Sequence, residues 1–178
     1  MKIKNAVCLM LILISSYGYA STLKYVPGIK LGKGVVAIIN DVEYERNLVP
    51  FTTGYLRFGG AGFDLPGASK VKVNFSNVGF GVRYNLILFY VGTGFESSQV
   101  KMKDSVTDGT ASGTIAGPII EVGKTMGLGP ISVGASLGLQ FATNKIQYND
   151  NSSFNLGDLN ANGSATLVKL EFQAGYSF

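Results

Sequence analysis

The stretch Ser164–Phe178, SATLVKLEFQAGYSF, decides the fold. Counted back in steps of two, Phe178, Tyr176, Ala174, Phe172, Leu170, Val168 and Thr166 form one set; Ser177, Gly175, Gln173, Glu171, Lys169 and Leu167 form the other. Successive side chains of a strand point to opposite faces, so this is a strand with one apolar side and one small, polar or charged side. A soluble sandwich could hold such a strand. That the sequence runs to Phe178 without a polar tail favours a strand embedded in an apolar medium, with its terminal carboxylate reaching water at one rim.

At the other end, Met1–Ala20 reads as a secretory signal peptide. Lys2 and Lys4 give a positive start, Ala6–Ile14 an apolar run, and Gly18-Tyr19-Ala20 a small-residue cleavage site. The apolar run is too short to cross a bilayer as a helix. Cys8, the one cysteine, lies inside that run, so Ser21–Phe178 is expected as a single cysteine-free domain. The formal charge of +4 includes the two leader lysines, which weakens any nucleic-acid reading. Hydrophobic residues make up 46% of the chain and charged residues only 15%, which is charge-poor for a soluble domain. Past Ala20 no apolar run has the length of a membrane helix. The apolar residues are therefore expected to be arranged in alternation.

The same period of two runs along the chain. Ser21–Leu31 is the least regular segment, because Pro27 can donate no ladder hydrogen bond. From Val35, the residues Val36, Ile38, Val42 and Tyr44 oppose Ala37, Ile39, Asp41, Glu43 and Glu45. Asn47–Pro50 reads as a turn and Phe51–Phe58 as a strand of ambiguous facing, and Gly59–Ser69 as a loop. In Lys70–Asn85 the apolar set changes from Val71, Val73 and Phe75 to Val78, Phe80, Val82 and Tyr84, which predicts a β-bulge near Ser76-Asn77. Ile87–Phe95 alternates again, and Asp104–Gly113 and Asn149–Gly163 read as long polar loops. Ile131–Phe141 is the clearest strand, with Leu137 and Leu139 on its apolar face and Gln140 on the other. On that facing Leu137→Arg should impair insertion, and Gln140→Glu should be milder.

Eight candidate strands, joined alternately by short turns and longer loops after the first, form the pattern of an eight-stranded antiparallel up-and-down transmembrane β-barrel. Lipid supplies no hydrogen-bond partner, so an all-strand structure must close and leave no edge. With the apolar faces in lipid, the interior receives Glu43, Glu45, Arg57, Arg83, Glu96, Glu121, Lys169 and Glu171. A barrel of eight strands has room inside only for side chains, and buried charges must pair, so a polar plug is expected in preference to an ion path. The inward glycines, among them Gly81 and Gly94, suit that crowding.

Catalytic chemistry finds little support. The absence of histidine removes the usual general base and the commonest metal ligand. Gly123-Lys124-Thr125 lacks the first glycine of a phosphate-binding loop, since residue 118 is Pro118, and it lies on a strand. The loop acids Asp104, Asp108, Asp150 and Asp158 match no calcium-loop spacing. No enzyme, cofactor or metal site is expected.

Leader, eight alternating strands and an aromatic ending of Phe172, Tyr176 and Phe178 resemble the small bacterial outer-membrane barrels of the OmpA/OmpX-like superfamily. The resemblance covers Ser21–Phe178 and implies the bacterial outer membrane as location, with lipid and lipopolysaccharide around the barrel. It also implies that Phe172, Tyr176 and Phe178 form a signal for the barrel-assembly machinery. Departures are Pro27, the lack of tryptophan and the facing of Phe51–Phe58. The expected role is a structural or surface-interaction barrel of adhesion type, displaying 104–113 and 149–163 outside the cell; a narrow pore or small-ligand conduit is the alternative. A soluble periplasmic barrel binding an apolar ligand would require the faces to be inverted.

Overall fold

Alternation this sustained needs a neighbour on both sides of every strand, and the chain provides one. The computed structural model describes residues 21–32, 35–65, 71–104, 110–148 and 162–178. They form β1 (Ser21–Gly32), β2 (Val35–Val49), β3 (Thr52–Leu65), β4 (Val71–Asn85), β5 (Tyr90–Asp104), β6 (Thr110–Leu128), β7 (Ile131–Tyr148) and β8 (Asn162–Ser177). Each strand pairs antiparallel with the next, and β8 returns to β1, so the sheet is a closed eight-stranded barrel. The leader Met1–Ala20 lies outside the described residues. So do 33–34, 66–70, 105–109 and 149–161, which include parts of the three predicted loops.

The short turns and both ends of the described chain share one rim. Pro50-Phe51, Leu86–Phe89 and Gly129-Pro130 make the turns there, with Phe51 and Gly129 at φ of 65° and 67°. Leu86 N–H donates to the Phe89 carbonyl at 2.8 Å, and Ser177 N–H to the Pro130 carbonyl at 2.7 Å. The other strand ends, among them Gly32, Leu65, Asp104 and Tyr148, lie at the opposite rim.

Several predicted boundaries move. β2 runs through Asn47 to Val49, with its register shift against β3 between Asn47 and Val49, so the turn is confined to Pro50-Phe51. Gly59–Leu65 belongs to β3 and pairs with β4 up to Leu65↔Val71. Asp104 ends β5, Thr110–Gly113 opens β6 and Asn162-Gly163 opens β8, so the predicted loops are shorter than their polar composition suggested. Pro27 does not break β1. The β1–β2 ladder is continuous, whereas the β1–β8 ladder omits Val26 and Pro27, which places the missing donor on the β8 side. A second interruption falls at Gly117-Pro118 in the β6–β7 ladder, with the register unchanged on either side.

The predicted bulge at Ser76-Asn77 is absent, since β4 keeps an unbroken register with both β3 and β5 there. Val73 and Phe75 share the inward face with Asn77, Gly79 and Arg83, while Val78, Phe80, Val82 and Tyr84 face out. What changes is the interior. Near the short-turn rim it is polar, in the middle charged, and toward the far rim apolar, where Val73, Val100, Met102, Ala111, Ile115, Ala142 and Leu167 pack with Phe75 and Ala165. The facing of β3 is equally clear: Tyr55 and Arg57 point inward and Leu56 outward.

Outside, Val36, Ile38, Phe80, Val82, Ile120, Val122, Leu137, Leu139, Leu170 and Phe172 are exposed around the wall. A closed ladder with an apolar exterior and a charged interior is stable in a bilayer, where every backbone group must find its partner within the protein. With strands of 12 to 19 residues, each exceeds the ~9–11 residues needed to cross.

Candidate functional site

The middle tier is built around two arginines contributed by adjacent strands. Arg57 of β3 is fully buried and donates Nε and Nη2 to Glu43 Oε2 of β2 at 3.0 and 2.6 Å. Its Nη1 donates to Glu96 Oε1 of β5 at 2.9 Å and to Glu171 Oε1 of β8 at 2.8 Å, so one guanidinium crosses the lumen. Arg83 of β4 donates Nε to Glu121 Oε1 at 2.6 Å and Nη2 to Glu43 Oε2 at 2.9 Å, and Nη1 also meets Glu45. Lys169 Nζ pairs with Glu171 Oε1 at 2.7 Å and with Glu96. The structure thus brings all eight sequence-predicted interior residues, Glu43, Glu45, Arg57, Arg83, Glu96, Glu121, Lys169 and Glu171, into one connected network. Glu45 is its rim member, with a side chain 12% exposed.

The planar fork of arginine can satisfy several carboxylates at once, which a point-like ammonium cannot. Aromatic rings add to the hold: the Arg83 guanidinium lies 4.3 Å from the Tyr55 ring centroid and 4.9 Å from that of Tyr90. The Tyr55 ring in turn needs space. A Cβ on Gly81 or on Gly94 would come within 2.6 Å of its hydroxyl, so those two glycines make the room the ring occupies.

Further members lie outside the eight predicted residues. Lys30 Nζ lies 2.9 Å from Glu96 Oε2, and Lys24 Nζ 2.7 Å from Glu45 Oε2. Both come from β1, whose proline obscured its facing. Asp41, on the same face of β2 as Glu43, accepts from Asn77 Nδ2 at 2.9 Å. Gln173 Nε2 donates to the Tyr90 hydroxyl at 2.8 Å, and Gln140 Nε2 to the Glu96 backbone carbonyl at 3.2 Å. Between this tier and the apolar cluster remains a cavity of only about 20 Å³, bordered by Lys30, Asn77 and Ser98, about enough for a single water. The network fills the lumen, and the apolar cluster closes it beyond.

The three residues of the predicted assembly signal are on β8. Phe172, Tyr176 and Phe178 face out and are more than half exposed. Phe178 also closes the seam, its N–H donating to the Ser21 carbonyl at 3.0 Å and its carbonyl accepting from Ser21 N–H at 3.2 Å. Of the acids weighed as cation ligands, Asp108, Asp150 and Asp158 lie outside the described residues; among the described ones no group of acids is arranged to hold a metal ion.

The sequence matches no protein-family model and no curated protein. Solved structures do match. A major outer membrane protein from Thermus thermophilus superposes with a TM-score of 0.62 at 16% identity, over 91% of this chain and 100% of the other. The chain has the fold of the small eight-stranded outer-membrane β-barrels. Ail, the attachment invasion locus protein of Yersinia pestis, matches with a TM-score of 0.54 at 14% identity, over 91% of this chain and all of its own. Neisserial surface protein A matches at 0.54 and 8% identity, over 91% and 98%. At such identities the likeness is one of fold. Taken with the apolar belt and closed ladder, that fold places this barrel in the bacterial outer membrane.

Proposed function

We propose that this chain is an outer-membrane barrel that works at the cell surface, as a structural or surface-interaction protein of adhesion type, and not as a conduit or an enzyme. The observation that carries the reading is the filled lumen. Arg57 and Arg83 bridge it through Glu43, Glu96, Glu121 and Glu171, and the Val73, Val100, Met102 and Ile115 cluster seals it toward the far rim. An ion would have to displace paired charges and then cross an apolar layer, each at high cost. Function is then left to the wall and its far rim, where β5–β8 run past the apolar belt into 105–109 and 149–161. An extracellular partner binding through 104–113 and 149–163 fits this arrangement. Ail, the attachment invasion locus protein of Yersinia pestis, gives an example of surface attachment on the same fold. Phe172, Tyr176 and Phe178 suit recognition by the barrel-assembly machinery during insertion.

The test compares cells displaying the intact protein with cells displaying a version in which 105–109 and 149–161 are replaced by short turns. Attachment to surfaces should fall when the connections are shortened while heat-modifiable gel migration, the mark of a folded barrel, persists. Equal attachment by both would contradict the reading.

A further inference from the structure

Past the belt, the outward face of β5, β6 and β7 changes character. Phe95 is the last large apolar residue facing out on β5, followed on that face by Ser97, Gln99 and Lys101; on β7, Phe141 is followed by Thr143 and Lys145. At ~3.3 Å per residue and the usual strand tilt, Lys101 stands about 15 Å and Lys145 about 10 Å beyond those rings along the barrel axis. Between them runs β6. Its Ser112 pairs with Lys101 and its Thr114 with Lys145, so both lysines flank one pair of hydroxyl-bearing residues. Gln99, Lys101, Ser112, Thr114 and Lys145 line a groove of about 330 Å³. Its floor is firm, because directly inside it lie Val100, Ala111, Ile115 and Ala142 of the apolar cluster. Among the described side chains of β5, β6 and β7 the acids are Glu96 and Glu121, and both are buried in the lumen.

We propose that this groove binds the phosphorylated saccharide headgroup of an outer-leaflet glycolipid, with the Lys101 and Lys145 ammonium groups on phosphate and Ser112, Thr114 and Gln99 on sugar hydroxyls. The site rests on the far rim facing outward, as the proposed function does, but it needs no protein partner. Three observations select this occupant. The groove lies on the outer wall a short way past the apolar belt, where headgroups of the surrounding membrane meet the protein. It has positive charge and no carboxylate among its lining residues, and juxtamembrane lysines attract anionic headgroups. Its remaining donors and acceptors are neutral hydroxyl and amide groups, which suit a sugar. Lys72 makes a control, since the register sets it opposite Asp64 on β3 and outside the groove.

The experiment uses the protein refolded in zwitterionic micelles and titrated with bisphosphorylated lipid A, reading the backbone amide signals of Gln99, Ser112 and Thr114. Saturable shifts are expected, with apparent affinity falling about thirty-fold in the Lys101→Gln/Lys145→Gln double variant and unchanged in Lys72→Gln. Lipid A stripped of its phosphates should give no saturable shift. Equal binding by the double variant, or equal binding of the phosphate-free lipid, would overturn the proposal. Heat-modifiable migration is read on the same samples, so a folded barrel lacking phosphate-dependent shifts overturns this site without touching the surface-interaction reading.

Discussion

Arg57 touches Glu43, Glu96 and Glu171 with no solvent to share the load. Replacing it by methionine keeps the bulk and leaves three carboxylates short of a cation. Arg57→Met should lower folding stability by about 3–5 kcal/mol, the usual cost of breaking a buried pair, measured by urea titration of the protein in vesicles. On the other face, Leu137 is 48% exposed to the membrane; Leu137→Arg should cost roughly 2–4 kcal/mol near the midplane, read by the same titration. The expectation that Gln140→Glu is milder does not survive the structure. Gln140 is fully buried and spends its amide on the Glu96 carbonyl, so a carboxylate there forfeits a donor and adds an unpaired charge. The variant should lose at least as much stability as Leu137→Arg, and a near-neutral result would contradict the packing. At this scale the inward charges of β2–β8 were legible because a charge alternating with valine or leucine on a long strand has one plausible side. Lys24 and Lys30 were not, because Pro27 blurred the period of β1.

Among the elements, β6 carries a tight local constraint against β7. The register would set Phe141 opposite Pro118, which has no N–H to give, and a Cβ on Gly117 would come within 2.0 Å of the Phe141 carbonyl. Gly117→Val should therefore force β6 and β7 apart; a loss of about 1–3 kcal/mol is expected for overpacking of this kind, visible as a lower temperature for loss of the heat-modifiable form. Unchanged stability would mean that the seam has slack. The same scale explains the misplaced bulge in β4. Periodicity tells which residues share a face but not what that face touches, and Val73 and Phe75 looked like lipid-facing residues because the interior itself becomes apolar beyond Asn77. The long polar loops were overestimated for the converse reason: an outward residue above the belt, such as Ser112, is polar because it leaves the membrane, although its backbone continues in ladder.

For the whole molecule, closure was legible in the strand count and in the physics of lipid, which permits no edge. The sealing of the lumen was only half legible. The charges suggested a plug, whereas the apolar layer beyond it depends on residues from β4, β5, β6, β7 and β8 meeting at one height, which no single stretch of sequence records. That layer and the arginine-centred network together are the reason to look for function on the wall and rim instead of through the barrel. The most direct test of a sealed lumen is planar-bilayer recording of the refolded protein: a silent bilayer at applied voltage is expected, and discrete, reproducible channel openings would contradict the seal.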